Sequence, residues 1–263
     1  MSELALEIVG LDKTFGGLHA VNNVSFTVPH GSLTAVIGPN GAGKTTVFNL
    51  VTGLFQPDAG EARFYGQSIR NLLPVEVAAR GLIRTFQAAR IYPGMTALEN
   101  VLAGAHLHLR SNAIAQMLWL GHARREERAF TQRADALLEL AGLSNFRDIA
   151  ATDLPMGAQK LLEVVRALMS QPRLLLLDEP AAGLNDAETA ELAELLRAVR
   201  DSGISVVVVE HNMSLVMGVA DKVFVLDAGR LIAQGTPRDI QNDPVVIEAY
   251  LGRAPAPAAG ETP

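Results

Sequence analysis

Residues 33–46 read LTAVIGPNGAGKTT, and no other stretch restricts the fold of this chain so tightly. An uncharged, strand-length run, LTAVI, passes straight into a glycine-rich loop, and a helical run follows from about Thr45 to Leu54. Gly38, Gly43, Lys44 and Thr45 match the pattern G-x-x-x-x-G-K-[ST]. Glycines let the loop turn tightly and aim several backbone N–H groups at phosphate oxygens, and the helix N-terminus adds partial positive charge. Pro39, Asn40, Gly41, Ala42 and Thr46 complete the cradle. The chemistry predicted is a nucleoside triphosphate site, with Lys44 reaching the terminal phosphates and Thr45 ligating magnesium.

The rest of the chain reads as the sheet such a loop needs. Short β-rich runs at LALEIV and VSFTV precede it, and strands at EARFYG and near IRTFQ follow. Helix 157–169 leads to strand 174–177, helix 187–200 to strand 204–209, and helix 213–219 to VFVL. Strands alternating with helices predict a parallel sheet covered on both faces. Between about 88 and 156 strand signals are sparse. There, Ala134, Leu137, Leu138 and Ala141 share one helical face, and the mixed-sign run ARREER reads as solvated.

The strand LLLLDEP carries Asp178 and Glu179 to the carboxyl edge, where open α/β sheets bind ligands. Asp178 suits magnesium; Glu179 suits orienting or deprotonating a water, which points to hydrolysis rather than storage. His211 ends the strand ISVVVVEH, where an imidazole would meet a terminal phosphate, although a lone histidine is more often structural. His19, His30, His106, His108 and His122 form no metal-ligand pattern.

Composition removes several alternatives. There is no cysteine, which excludes disulfides, thiol catalysis and thiolate zinc sites. A formal net charge of −6 gives no footprint for nucleic acid. The N-terminus lacks the pattern of a signal peptide, and no run approaches the roughly 20 apolar residues of a spanning helix. A role at a membrane would therefore run through partners. The Pro- and Ala-rich end, APAPAAGETP, reads as disordered.

In order, GPNGAGKTT, RTFQ, LPMGAQK, LLLLDEP, AAGLND and VVVVEH resemble the Walker A loop, Q-loop, signature, Walker B strand, D-loop and H-loop of an ABC-type ATPase. The resemblance spans residues 4–252. It implies an α/β fold: a P-loop NTPase core of ABC type with an N-terminal antiparallel β-subdomain and an inserted helical subdomain at about 88–156. The stretches FGGLHAVNNVSF, RTFQAARIYPGMTALENVLAG and GTPRDIQNDPVVIEAYLG are most similar to ATP-binding subunits of branched-chain amino-acid importers, the last forming a C-terminal extension over about 235–252.

The resemblance implies ATP and Mg²⁺ as ligands. Phe15 would stack on adenine, Gln87 would sense magnesium and the attacking water, and Lys44, Glu179 and His211 would act on the terminal phosphate. Thr45, Gln87 and Asp178 would face the metal. Pro155, Met156 and Gly157, at the start of a helix, would serve the ATP held by a second ATP-binding subunit in a head-to-tail dimer. Residues after Gln87, including Tyr92, Pro93 and Met95, would receive one of two membrane-spanning permease subunits. The setting implied is the cytoplasmic face of the cell membrane, with a solute-binding protein as an indirect partner.

Two positions depart from the family pattern. Pro155 stands where the signature has serine, removing a hydroxyl and an N–H from what reads as the helix's first turn. Asn185 stands where many members carry aspartate. An importer of another small polar solute, such as urea, an amide or an aromatic acid, stays compatible, because an ATP-binding subunit does not touch the cargo. Other functions fit less well. The C-terminal extension weighs only moderately against an exporter. Soluble ABC proteins of DNA repair or the ribosome usually carry two cassettes or a very long coiled-coil insertion, and a small-molecule kinase would not need the signature helix.

Overall fold

The protein is described by a computed structural model covering residues 3–85, 91–107 and 121–251. Its centre is β3 (Leu33–Ile37), whose five residues are all buried. The later strands β7 (Leu174–Asp178) and β8 (Ser205–Val209) are also buried throughout. Successive side chains on these strands point to opposite faces. Leu175, Leu177, Val206 and Val208 enter one core, while Leu174, Leu176, Val207 and Val209 enter the other. This is why the runs are continuously apolar rather than alternating. Truncating one such leucine to alanine costs about 2–5 kcal/mol.

These strands belong to a six-stranded sheet with order β10–β9–β3–β8–β7–β6, completed by β6 (Leu82–Arg84), β9 (Lys222–Asp227) and β10 (Arg230–Gly235). All neighbours pair in parallel except β9 and β10, a hairpin closed by Ala228 and Gly229. The parallel register places Val36 beside Val209, and Val209 beside Asp178. The carboxyl ends of β3, β7 and β8 therefore meet at one edge. The helix α1 (Lys44–Val51) leaves that edge directly after the glycine loop.

A second, antiparallel sheet of order β2–β1–β4–β5 packs on one side, formed by β1 (Leu4–Phe15), β2 (Leu18–Pro29), β4 (Ala59–Phe64) and β5 (Gln67–Ser68). β1 and β2 run for 12 residues each, well beyond the predicted LALEIV and VSFTV. Their pairing shifts register between Ile8 and Leu11 and again on either side of Lys13. Such bulges break the alternation by which a strand is read from sequence.

The remaining helices are α2 (Pro74–Ala79), α3 (Ala97–Ala103), α4 (Gly121–Leu140), α5 (Met156–Met169), α6 (Asp186–Asp201), α7 (Met213–Val219), α8 (Pro237–Gln241) and α9 (Pro244–Leu251). The face predicted on α4 is real: Ala134 and Leu138 are fully buried, with Leu137 and Ala141 packed against the same core. Arg125, Glu127 and Arg128 of the charged run are exposed. Among the described residues no helix is long and apolar enough to cross a membrane.

Candidate functional site

The loop between β3 and α1 lines a cleft of about 460 Å³ together with Leu18, His19, Glu179, Ala228 and Gly229. Asn40, Gly41, Ala42, Gly43, Lys44, Thr45 and Thr46 all face it. Gly43 takes φ +97°, and a Cβ there would lie 2.4 Å from the carbonyl oxygen of Ala20. Only glycine fits, so the loop follows β2 closely. Lys44 is 7% exposed, and its ammonium donates to the carbonyls of Gly38 at 2.8 Å and Pro39 at 3.0 Å. Burial holds this ammonium below the ordinary lysine range, with Glu179 and then Asp178 partly opposing the shift.

Glu179 follows the end of β7 with φ +50°, a left-handed backbone uncommon outside glycine. Its N–H donates to the carbonyl of Val209 at 2.9 Å, and the carbonyl of Glu179 accepts from Ala182 at 3.1 Å. These bonds hold the strained residue and turn its carboxylate toward the cleft. His211 comes from the end of β8, its Nδ1 3.9 Å from the Glu179 carboxylate. Its side chain is 57% exposed. Strand order, not sequence proximity, brings the lysine, acid and imidazole together.

Asp178 is 3% exposed, and one oxygen accepts from Arg84 at 2.7 Å. Its other oxygen, Oδ1, is buried without a hydrogen-bond partner. A buried carboxylate oxygen without a donor fits a metal ion or a metal-bound water. The described residues hold no cluster of three or more acidic, histidine or cysteine side chains. A metal here would thus take few protein ligands, which suits magnesium bound mainly through phosphate and water. Arg84 went unnoticed in the sequence because a lone arginine in IRTFQ looks like an exposed strand end. It also donates to Asn49 of α1 at 2.6 Å, tying β6 to the phosphate-loop helix.

Helix starts divide into two groups. α3, α6, α7 and α8 begin on Thr96, Asn185, Asn212 and Thr236, and each side chain accepts from its own first turn. At α2 the Glu76 carboxylate accepts from the N–H of Leu73. α1 and α5 instead begin on Gly43 and Pro155, with no side chain capping either one. Their first-turn N–H groups have no acceptor inside the helix. Pro155 is the N-cap, with φ −53° and ψ 152°, rather than a residue of the first turn as expected from the sequence. Met156 is exposed, and Gly157 lies against Glu188, where a Cβ would fall 2.6 Å from the carboxylate. Asn185 is accounted for by its cap: an amide oxygen accepts the Glu188 N–H at 3.0 Å as a carboxylate would.

Phe15, at the end of β1, is 40% exposed and meets Phe55 edge to face, with centroids 5.3 Å apart. Tyr92 and Met95 are exposed, and their loop is built around the buried Asn100, which accepts from the N–H of Tyr92 at 2.9 Å. Gln87 lies outside the described residues. Burial raises the phenol of Tyr250 of α9, unforeseen from the sequence, above the ordinary range.

Residues 21–182 match the ABC transporter family, and residues 230–256 match the family described as branched-chain amino acid ATP-binding cassette transporter. The chain is an ABC transporter ATP-binding protein. This ABC protein is 44% identical to the high-affinity branched-chain amino acid transport ATP-binding protein BraF of Pseudomonas aeruginosa, over 97% of this chain and 100% of that one. An ATP-binding cassette of an ABC transporter solved in its ADP conformation superposes with a TM-score of 0.82, at 31% identity over 95% of this chain and 99% of that one. An ATP-binding cassette solved as a dimer in a post-hydrolysis state, bound to ADP and phosphate, gives a TM-score of 0.74 at 25% identity, over 89% of this chain and 99% of that one. The ABC family assignment makes this chain a nucleotide-binding ATPase coupled to transport.

Proposed function

We propose that this chain hydrolyses Mg²⁺-ATP to drive an importer of branched-chain or other hydrophobic amino acids. It would work as one of two ATP-binding subunits on two membrane-spanning permeases, at the cytoplasmic face of the cell membrane, with cargo delivered by a solute-binding protein. Full-length likeness to BraF and the match at the C-terminal extension support the cargo class. The observation that carries the chemistry is that Lys44 and Glu179 line one cleft, with His211 beside Glu179 and a buried, half-satisfied Asp178 just before it.

In this reading the phosphates of ATP occupy the loop 38–46, and Lys44 exchanges two backbone carbonyls for phosphate oxygens. Phe15 offers its face to the adenine. Thr45, Asp178 and Gln87 would hold magnesium, which would offset phosphate charge when bound. Glu179 orients a water and takes its proton as the water oxygen bonds to the γ-phosphorus and the bond to the bridging oxygen breaks. His211 donates to the γ-phosphate. The uncapped start of α5, at Pro155, Met156 and Gly157, addresses the nucleotide of the second subunit through its first-turn N–H groups. The loop carrying Tyr92, Pro93 and Met95 receives a permease.

The test is tagged Glu179→Gln protein purified from gently solubilised membranes with ATP and magnesium. Recovery of two polytopic membrane proteins is expected, with hydrolysis reduced at least a hundredfold. Wild-type turnover in the variant would remove Glu179 from the mechanism, and recovery of soluble partners alone would remove the importer.

A further inference from the structure

Glu210 sits between Val209 and His211 and is fully buried. Buried carboxylates are costly unless fully bonded. Both oxygens of this one are used: Oε1 accepts from the N–H of Ala181 at 2.8 Å, and Oε2 from the N–H groups of His211 at 2.9 Å and Asn212 at 3.0 Å. No salt bridge satisfies it among the described residues, so its charge is met by backbone dipoles. Its own N–H donates to the carbonyl of Val36, on the strand that feeds the phosphate loop, at 3.3 Å.

The donors belong to two different loops. His211 and Asn212 lead from β8 into α7. Ala181 begins the turn after Glu179, whose next bond runs from the N–H of Leu184 to the carbonyl of Ala181 at 3.1 Å. That turn ends at Asn185, the cap of α6, and its bonded partner Glu188 lies against Gly157. A chain of hydrogen bonds thus joins the backbone of His211 to the cap of α6, whose Glu188 packs against the start of α5 at Gly157.

We propose that Glu210 is a positioning residue that locks His211 and the 181–185 turn into one rigid unit. The proposal rests on the roles given above to His211 and to the start of α5. It adds that one buried carboxylate makes the segment facing the second subunit and the histidine facing the chain's own nucleotide move together. Each bond is charge-assisted, so neutralising the carboxylate weakens both loops at once.

Glu210→Gln keeps the shape but sets an amide NH₂ against backbone N–H donors. The expected result is a fall in kcat of tenfold or more, with binding of a fluorescent ADP analogue changed by less than twofold. In a His211→Ala background the same substitution should cost clearly less than in the wild type, because part of its effect passes through the histidine. An equal fall in both backgrounds would overturn the positioning role. His211→Ala at wild-type turnover would overturn the site reading and the role of Glu210 with it. Should Glu210→Gln not fold, the wild-type chain decides. The amides of Ala181, His211 and Asn212 exchange with solvent at one common rate if the unit opens as a whole, and separate rates would overturn the inference.

Discussion

The guanidinium of Arg84 and the carboxylate of Asp178 form a sealed pair, 2.7 Å apart with side chains 9% and 3% exposed. Removing one partner of such a pair leaves a buried charge uncompensated. Arg84→Met should therefore destabilise the nucleotide-free chain by about 3–5 kcal/mol. Mg²⁺-ATP should restore part of that loss, since a cation beside Asp178 supplies the missing charge. Calorimetry with and without Mg²⁺-ATP should show a larger ligand-induced rise in Tm for the variant than for wild type. An equal or smaller rise would mean that the metal does not approach Asp178.

Lys44 carries the pH dependence of nucleotide binding. In the free chain burial lowers its pKa. Phosphate favours the ammonium, so binding raises the value again. Below the lowered value lysine is charged in both states, and pH has no effect through this group. Between the two values binding takes up protons, so affinity falls as pH rises. Titration calorimetry at alkaline pH below the ordinary lysine range, in buffers of different ionisation enthalpy, should detect the uptake. Lys44→Arg, charged throughout, should abolish it; persistence would assign the proton elsewhere.

Gly157→Ala tests the packing at the start of α5. The added Cβ would meet the Glu188 side chain, a flexible group that can swing away. Doing so breaks its bond to the N–H of Asn185 at 3.0 Å, half of a capping box. The fold should lose about 1 kcal/mol. If the proposed dimer is right, ATP-driven association should suffer more than tenfold, because the substitution sits where the second nucleotide would be addressed. Urea denaturation and sedimentation with ATP separate the two, and a loss confined to stability would leave Gly157 a packing residue only.

Pro155→Ser has the opposite sign. Pro155 is the N-cap of α5 and offers neither hydroxyl nor N–H. Serine would cap the helix, adding about 1 kcal/mol of stability, and would give phosphate a charge-assisted bond of roughly 1.5–3 kcal/mol. Analytical ultracentrifugation with ATP should show dimerisation tightened about tenfold or more. Unchanged or weaker dimerisation would mean that the hydroxyl contributes nothing here.

Much of this site was legible because phosphate chemistry demands fixed residue types at fixed spacing, and because a buried parallel strand announces itself as LTAVI, LLLL or VVVV. The parts that escaped depend on who meets whom across the sheet. Arg84 looks like an ordinary strand-end cation until Asp178 is placed beside it. Glu210 looks like a neighbour of His211 until Ala181 arrives from another loop. The full lengths of β1 and β2 were hidden by bulges, and the exposed sequence signal at Asn185 concealed a cap that serves its own helix.

β6 is one edge of the six-stranded sheet and its shortest strand, pairing with β7 in register over Leu82, Ile83 and Arg84, with Thr85 adding a bond to the carbonyl of Leu176. It is held to the sheet by fewer paired residues than any of the other five strands. A tug on its far end can displace it while five strands stay in register. Arg84 would carry that displacement straight to Asp178 and Asn49. Force arriving from a membrane partner would thus be felt as an electrostatic change at the nucleotide, with almost no lever arm and without unfolding anything.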